Sequence, residues 1–171
     1  MWNWLVSSLA SKASILLFDG FPMYKKNDLL FKVVDKEKVK LLGVSAKYID
    51  SLKKLNLKIK SKFKLKNLKV ICSTGSPLSK EGFEYIYKNV KKNVHLSSIS
   101  GGTDIVSCFV LGNIYQPVYS GEIQANGLGL DVKVYSEKGK SKINQKGELV
   151  CCSPFPCCLL YTSPSPRDLY Q

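Results

Sequence analysis

KVICSTGSPLSKEGFEYIYKNVKKNVHLSSISGGTD, residues 69–104, is the stretch whose reading decides the fold. It opens on Lys69-Val70-Ile71-Cys72, a short apolar run with the character of a buried strand, and passes into the small-residue turn Ser73-Thr74-Gly75-Ser76-Pro77. Ser79 stands where a helix N-cap is expected, and Phe83, Ile86, Tyr87 and Val90 come after it at helical spacing. A second strand-like run, Val94-His95-Leu96, then feeds a second small-residue turn that ends in Gly101-Gly102-Thr103-Asp104. Strand, helix and strand at this spacing make a parallel βαβ unit, in which ligands gather at the carboxyl ends of the strands. The two turns are therefore expected to face one crevice.

The second turn has the parts needed to meet a phosphate and its metal. Glycine lets the backbone approach an anion, a hydroxyl can donate to phosphate oxygen, and a carboxylate can ligate Mg²⁺. Alone, a GG turn followed by Thr-Asp is more often ordinary loop chemistry. His95 reads as a strand residue beside the site and not as a base.

Outward from this stretch, periodicity predicts a helix near Trp2–Ala10, a strand near Ser14–Phe18 and a helix near Asp28–Lys36. A strand at Leu41–Val44 and a Ser45-capped helix reaching Leu55 come next, joined to Lys69 by a basic connector. This alternation argues for an α/β fold with a partial parallel sheet and flanking helices. After Pro117 helical periodicity stops, and short strands are expected at Gly121–Gln124, Leu130–Tyr135 and Gly147–Cys151, with Glu137-Lys138-Gly139-Lys140 as a hairpin turn. Residues 1–117 thus read as α/β and 118–156 as the start of a β-rich, barrel-like subdomain.

Several of these segments, in order, resemble the AMP-forming acyl-adenylating enzymes, and among them the acetoacetate–CoA ligase branch. They are MWNWLVSSLAS, LFDG, GVSAKYI, STGSPLS, VHLSSISGGTDIVSCF, GEIQANGLGLDVKV and GELVCCSPFP, covering residues 1–156. The resemblance implies ATP, Mg²⁺ and coenzyme A as cosubstrates and cofactors, and acetoacetate as the acid activated. By position it implies that Gly75, Ser76 and Pro77 lie along adenine, that Ser100 contacts the nucleotide, and that Gly102 and Thr103 contact its α-phosphate, Thr103 in a catalytic role. Asp104 falls where many members carry a Mg²⁺-binding Glu, and its shorter side chain leaves room for a water bridge. Gly101, Thr74 and Trp2 fall around the acyl pocket. Members restricted to acetate carry a bulky Trp at the position of Gly101, so glycine there implies room for a longer acid. The spacing of Trp2, Leu5, Val6 and Leu9 independently reads as the apolar face of a helix. Another short-chain acid, such as acetate, propionate or butyrate, stays open as the substrate.

Other features of that family have no counterpart here: the Lys-bearing Ser/Thr/Gly-rich phosphate loop, the Thr-Gly-Asp ribose turn and the small domain with the adenylation lysine. The expectation is an internal fragment, inactive by itself, whose partners are the missing parts of the same enzyme. Residues 157–171 differ in composition. They hold the only arginine, Arg167, and the run Thr162-Ser163-Pro164-Ser165-Pro166, and read as a non-native, adapter-derived tail. Cys151, Cys152, Cys157 and Cys158 are spaced poorly for zinc, since vicinal cysteines close a tetrahedron badly. No disulfide framework is indicated, and a reducing cytoplasm is the expected compartment.

Net charge is +13, with eight lysines between Lys53 and Lys69. That raises the alternative of a basic nucleic-acid-binding module. These lysines alternate with Leu57, Ile59, Phe63, Leu65 and Leu68, as on a solvated face above a buried one, and the patch lacks arginine forks. No stretch has the apolar length of a membrane span.

Overall fold

The computed structural model describes residues 7–24, 27–102 and 105–155. They fall into two compact units, an α/β unit of residues 16–24, 27–100 and 112–124, and a β unit of residues 7–15, 101–102, 105–111 and 125–155.

In the α/β unit the order is helix α1 (Leu29–Lys36), strand β1 (Leu41–Ser45), helix α2 (Ala46–Lys54), a 3₁₀ turn (Ile59–Ser61), strand β2 (Val70–Thr74), helix α3 (Lys80–Tyr85) and strand β3 (His95–Ser98). Helix α3 runs on into a π-helical segment, Ile86–Val90. The three strands form one parallel sheet in the order β1-β2-β3, with Ser45 beside Thr74 and Ser73 beside Ser98. The expected parallel sheet with flanking helices is therefore present.

Each helix forms for a legible reason. On α1, Leu30, Phe31 and Val34 make one buried stripe. The Ser45 hydroxyl accepts the Tyr48 N–H at 3.1 Å and starts α2, which buries Tyr48, Ile49 and Leu52 and ends on Lys53 and Lys54, cations suited to a helix C-terminus. Ser79 does the same for α3, accepting from Gly82 N–H at 3.2 Å, and Phe83, Ile86 and Val90 are buried. Side chains from all three helices and from Leu42, Val44, Ile71 and Leu96 of the sheet make the core.

The basic connector folds as its alternation requires, with Ile59, Leu65 and Leu68 essentially fully buried while the lysines between them stay exposed. Leu65 takes the left-handed conformation at φ 46, rare for a bulky residue. It is held from both sides. The Asp35 carboxylate accepts its N–H at 2.7 Å, and the Lys91 ammonium donates to its carbonyl and, at 2.7 Å, to that of Leu68. Burial, and then repulsion from Lys69, lower the affinity of the Lys91 amine for its proton.

Two expected strands are absent. Residues 13–19 have no regular structure; Leu17 is 72% exposed, and the apolar run finds no strand to pair with. Around Gly121 the chain turns instead, Glu122 N–H donating to the Tyr119 carbonyl, and pairing begins only at Ala125. Of the expected N-terminal helix, residues 7–10 are helical and the rest lies outside the described residues.

The β unit holds two three-stranded sheets. One, β4-β5-β6, is made from Ser100–Gly102, Ser107–Leu111 and Ala125–Asn126. The other, β8-β7-β9, joins Ser141–Lys142, Val132–Tyr135 and Glu148–Cys151 in antiparallel pairs, with the 137–140 turn between β7 and β8 as expected. No closed barrel forms among the described residues.

Two buried phenols make the α/β unit sensitive to alkali. Tyr85 donates to the Leu57 carbonyl at 2.6 Å, and burial pushes its pKa up to about 12. Tyr48 is pushed up further, by burial first and then by Tyr85 and Asp28. An unfolded tyrosine ionises near pH ~10, so the unfolded chain loses these protons first; the stability they contribute is intact below that pH and is lost as pH rises through the folded values. The urea midpoint is expected to fall between about pH 10 and 12, and Tyr85→Phe should make the fall shallower while costing about 1 kcal/mol at neutral pH for the lost hydrogen bond. A midpoint flat to pH ~12 would contradict this.

Candidate functional site

Strand β2 descends into the core and ends at the first expected ligand turn. Ile71, Cys72 and Ser73 are buried, Thr74 is half-buried, and Gly75, Ser76 and Pro77 are exposed. Gly75 has φ +87 and nothing within 4 Å of where a Cβ would stand, so glycine is required there by backbone geometry and not by crowding. The turn is anchored just beyond. Leu78 is buried against Gly82, its Cδ1 only 2.6 Å from the position of a Gly82 Cβ, and Ser79 caps the same residue's N–H. Gly75, Ser76 and Pro77 are thus presented to solvent from a fixed base.

The neighbouring strand end carries small polar residues. Ser97 and Ser98 are buried at the end of β3, Ile99 N–H donates to the Ser73 carbonyl at 2.9 Å, and Ser100 is exposed. The parallel register ends with Ser73 beside Ser98, and Thr74 and Ile99 are the next residues along the two chains. Ser73 is completely buried, and its hydroxyl has no hydrogen-bond partner among the described residues. His95 Nε2 lies 3.0 Å from where a Gly112 Cβ would be, beside the Ser97 hydroxyl at 2.0 Å, so His95 packs on a glycine.

Gly101 and Gly102 belong to the β unit and differ from one another. A Cβ on Gly101 would stand 2.3 Å from the Ser107 carbonyl oxygen and 2.7 Å from Cys108 Cα, whereas one on Gly102 would meet nothing within 4 Å. The first glycine is demanded by the approach of β4 to β5; the second leaves open space. Both are exposed, and the chain returns through Ile105 and Val106, the latter at φ 47. Trp2, Thr103 and Asp104 lie outside the described residues.

Among the described residues no group of three His, Cys, Asp or Glu side chains could hold a metal ion, and no helix is long and apolar enough to cross a membrane. No disulfide forms among the described residues, and burial pushes the Cys108 thiol up. An open groove of about 590 Å³ on the α/β unit, lined by Phe83, Tyr87, Lys88, Lys92, Val118 and Ser120, contains none of the expected site residues.

Two residues that sequence reasoning passed over shape the surroundings. The Gln124 carboxamide accepts the Asn113 N–H at 3.0 Å and donates to the carbonyls of Asn113, Gln116 and Pro117 at 3.0, 2.9 and 3.1 Å, holding the 113–117 loop. Gly127, next to β6, has no room for a Cβ. The repeated glycine in Asn126-Gly127-Leu128-Gly129 was the available signal for the second; no local signal marks the first.

No family model matches the chain. It is 50% identical over 156 residues to the acetoacetyl-coenzyme A synthetase of Rhizobium meliloti (strain 1021), covering 91% of this chain and 24% of that protein. It is 46% identical over 157 residues to the acetoacetyl-CoA synthetase of Gallus gallus, covering 92% and 24%. Among solved structures, the acetoacetyl-CoA synthetase from Streptomyces lividans matches with a TM-score of 0.82 at 32% identity, over 92% of this chain and 25% of that one. The anthranilate CoA ligase AuaEII in complex with anthranoyl-AMP matches at 0.67 and 20% identity over 80% and 25%, a likeness of fold. The resemblance read from the sequence is borne out: the chain is homologous to a segment of acetoacetyl-CoA synthetases and spans about a quarter of the length of the curated relatives it matches.

The turn after β2 can be tested by stability alone. Gly75→Ala forces a Cβ into a left-handed conformation and is expected to cost about 1–2 kcal/mol, and Ser79→Ala about 1 kcal/mol through the lost cap. Urea denaturation of the two variants checks both values; an unchanged midpoint for Gly75→Ala would mean that the turn relaxes freely.

Proposed function

We propose that this chain, homologous to a quarter-length segment of acetoacetyl-CoA synthetases, supplies the adenine-, α-phosphate- and acyl-contacting parts of an AMP-forming ligase that activates acetoacetate with ATP and transfers it to coenzyme A. The observation that carries the reading is 50% identity over 156 residues, a length that must include both small-residue turns. The isolated chain is not expected to turn over.

The reaction of the complete enzyme has two steps. An acetoacetate carboxylate oxygen attacks the α-phosphorus of ATP and pyrophosphate leaves; the thiol of coenzyme A then attacks the acyl carbon and AMP leaves. Catalysis of the first step is chiefly positioning and stabilisation of charge on phosphate oxygens. Gly75, Ser76 and Pro77 would bind adenine on the exposed strip after β2, and Ser100 would lie beside the ribose-phosphate. The Gly102 N–H and the Thr103 hydroxyl would donate to the α-phosphate. Gly102 is suited to this, since no atom lies within 4 Å of its missing side chain.

One carboxylate, Asp104, is assigned to Mg²⁺, directly or through water. That fits an ion which commonly takes one or two carboxylates and lets substrate phosphates and water complete its octahedron. When bound, Mg²⁺ offsets the charge of the phosphate oxygens.

For the acid, Gly101, Thr74 and Trp2 are assigned to the acyl pocket. The glycine favours an acid longer than acetate, and the absence of a side chain at residue 101 also has a reason in the packing of β4 on β5. Another short-chain acid is the second reading, decided by comparing acetate, propionate, butyrate and acetoacetate. The cytoplasm is the proposed compartment, and residues 157–171 are assigned no part in the activity.

In the complete ligase carrying this segment, Thr103→Ala is expected to slow ATP–pyrophosphate exchange by about ten- to a thousandfold, the scale of one lost transition-state donor. An unchanged exchange rate would remove Thr103 from the mechanism. Exchange faster with acetate than with acetoacetate would overturn the assignment of the acid.

A further inference from the structure

Strand β5 runs between two residues that cannot carry side chains. On one side is Gly101 of β4, whose Cβ would stand 2.3 Å from the Ser107 carbonyl oxygen. On the other is Gly127, which comes directly after β6; its Cβ would stand 2.5 Å from the Cys108 carbonyl oxygen and 2.7 Å from Leu130 Cδ1. Both carbonyl distances are roughly 1 Å shorter than ordinary contacts, and both opposing oxygens are main chain, which cannot swing aside as a side-chain tip can. Gly127 also donates its N–H to the Phe109 carbonyl at 2.8 Å, continuing the ladder in which Val110 faces Asn126 and Leu111 faces Ala125. The Leu130 N–H returns to the Gly127 carbonyl at 3.2 Å, closing a tight turn against the strand.

Strand β4, which ends at Gly102, is the neighbour of β5 in this sheet, so the height of β5 sets where Gly102 stands. We propose that Gly127 is a positioning residue for the nucleotide-contacting end of β4: with Gly101 it clamps Ser107 and Cys108 and thereby fixes where the backbone of Gly102 meets the α-phosphate. This rests on the ligase reading given above. It separates two properties that a pocket explanation of Gly101 would merge. A side chain at residue 127 lies on the far side of β5 from β4, and its effect is to push β5 and the strand β4 beside it. The loss should then track the nucleotide and be the same for every acid, whereas a pocket residue would sort acids by length.

The test uses the complete ligase carrying this segment, with Gly127→Ala beside Leu128→Ala. Leu128 is 100% exposed, which makes it the neighbouring control. ATP–pyrophosphate exchange is measured at varied ATP with acetoacetate and with butyrate. A displacement of about 1 Å is expected to lower kcat/KM for ATP by roughly ten- to a hundredfold, by the same factor with both acids, while Leu128→Ala stays within about twofold. Unchanged exchange in a soluble Gly127→Ala enzyme, or a loss confined to one acid, overturns the role. Should Gly127→Ala prove insoluble, Leu130→Ala loosens the same contact without adding an atom, and an unaltered KM for ATP there overturns it equally. Absence of exchange in the unsubstituted enzyme with any acid would instead overturn the ligase reading on which the role rests.

Discussion

The interaction on which the α/β unit depends is the clamp on Leu65. A lysine-rich connector of like charge has to fold back from α2 to begin β2, and it does so by placing a bulky residue in the left-handed region, a conformation that costs about 1–2 kcal/mol. Asp35 from α1 holds its N–H, Lys91 from the end of the π-helical segment holds its carbonyl, and its side chain is sealed in the core beside Leu68. From that fixed point the chain enters the sheet. Lys69 and Val70 both donate to the Lys40 carbonyl, at 2.8 and 3.1 Å, which opens the pairing of β2 with β1, and β2 delivers Thr74 and Gly75 to the turn. The position of the proposed adenine surface is thus set by an acidic and a basic side chain on two other elements.

That clamp was not legible in the sequence, because nothing local joins Asp35, Leu65 and Lys91. The legible parts rest on short-range physics. Ser45 and Ser79 were readable as caps, Phe83, Ile86 and Val90 as one buried stripe, and Leu41–Val44 and Lys69–Cys72 as strands, each within a residue or two of its observed limits. The misses are segments whose fate depends on a partner. Residues 14–18 have the apolar character of a strand but nothing to pair with, and residues 121–124 lose their β character to a turn closed by Tyr119. At the site, the smallness of Gly101 was readable and its cause was not. The close approach of Ser107 is a long-range fact of sheet packing, and so is the matching constraint on Gly127.

The charge distribution suits the proposed ligands without specifying them. Among the described residues only a few lysines are ion-paired, Lys53 with Asp50, Lys62 with Asp28 and Lys133 with Asp131 among them, and surface pairs of this kind add little stability. The remainder leave a positive field that would draw in polyanionic nucleotides and thioesters, and would do so less as salt is raised. In the proposed function, recognition of the nucleotide would fall to neutral groups: glycine backbone, serine and threonine hydroxyls, and a proline face. Attraction and discrimination would then be carried by different residues.

Gln124 ties the 113–117 loop down with a single carboxamide that accepts one N–H and donates to three carbonyls. Hydrolysis of that amide would leave a carboxylate facing the same three carbonyl oxygens, with acceptors opposed to acceptors and no proton to share. The loop is therefore secured by a group with a finite chemical lifetime. In a long-lived molecule its release would be a slow, irreversible ageing event written in one side chain, and the exposed Ile114 and Tyr115 would be the surface it sets loose.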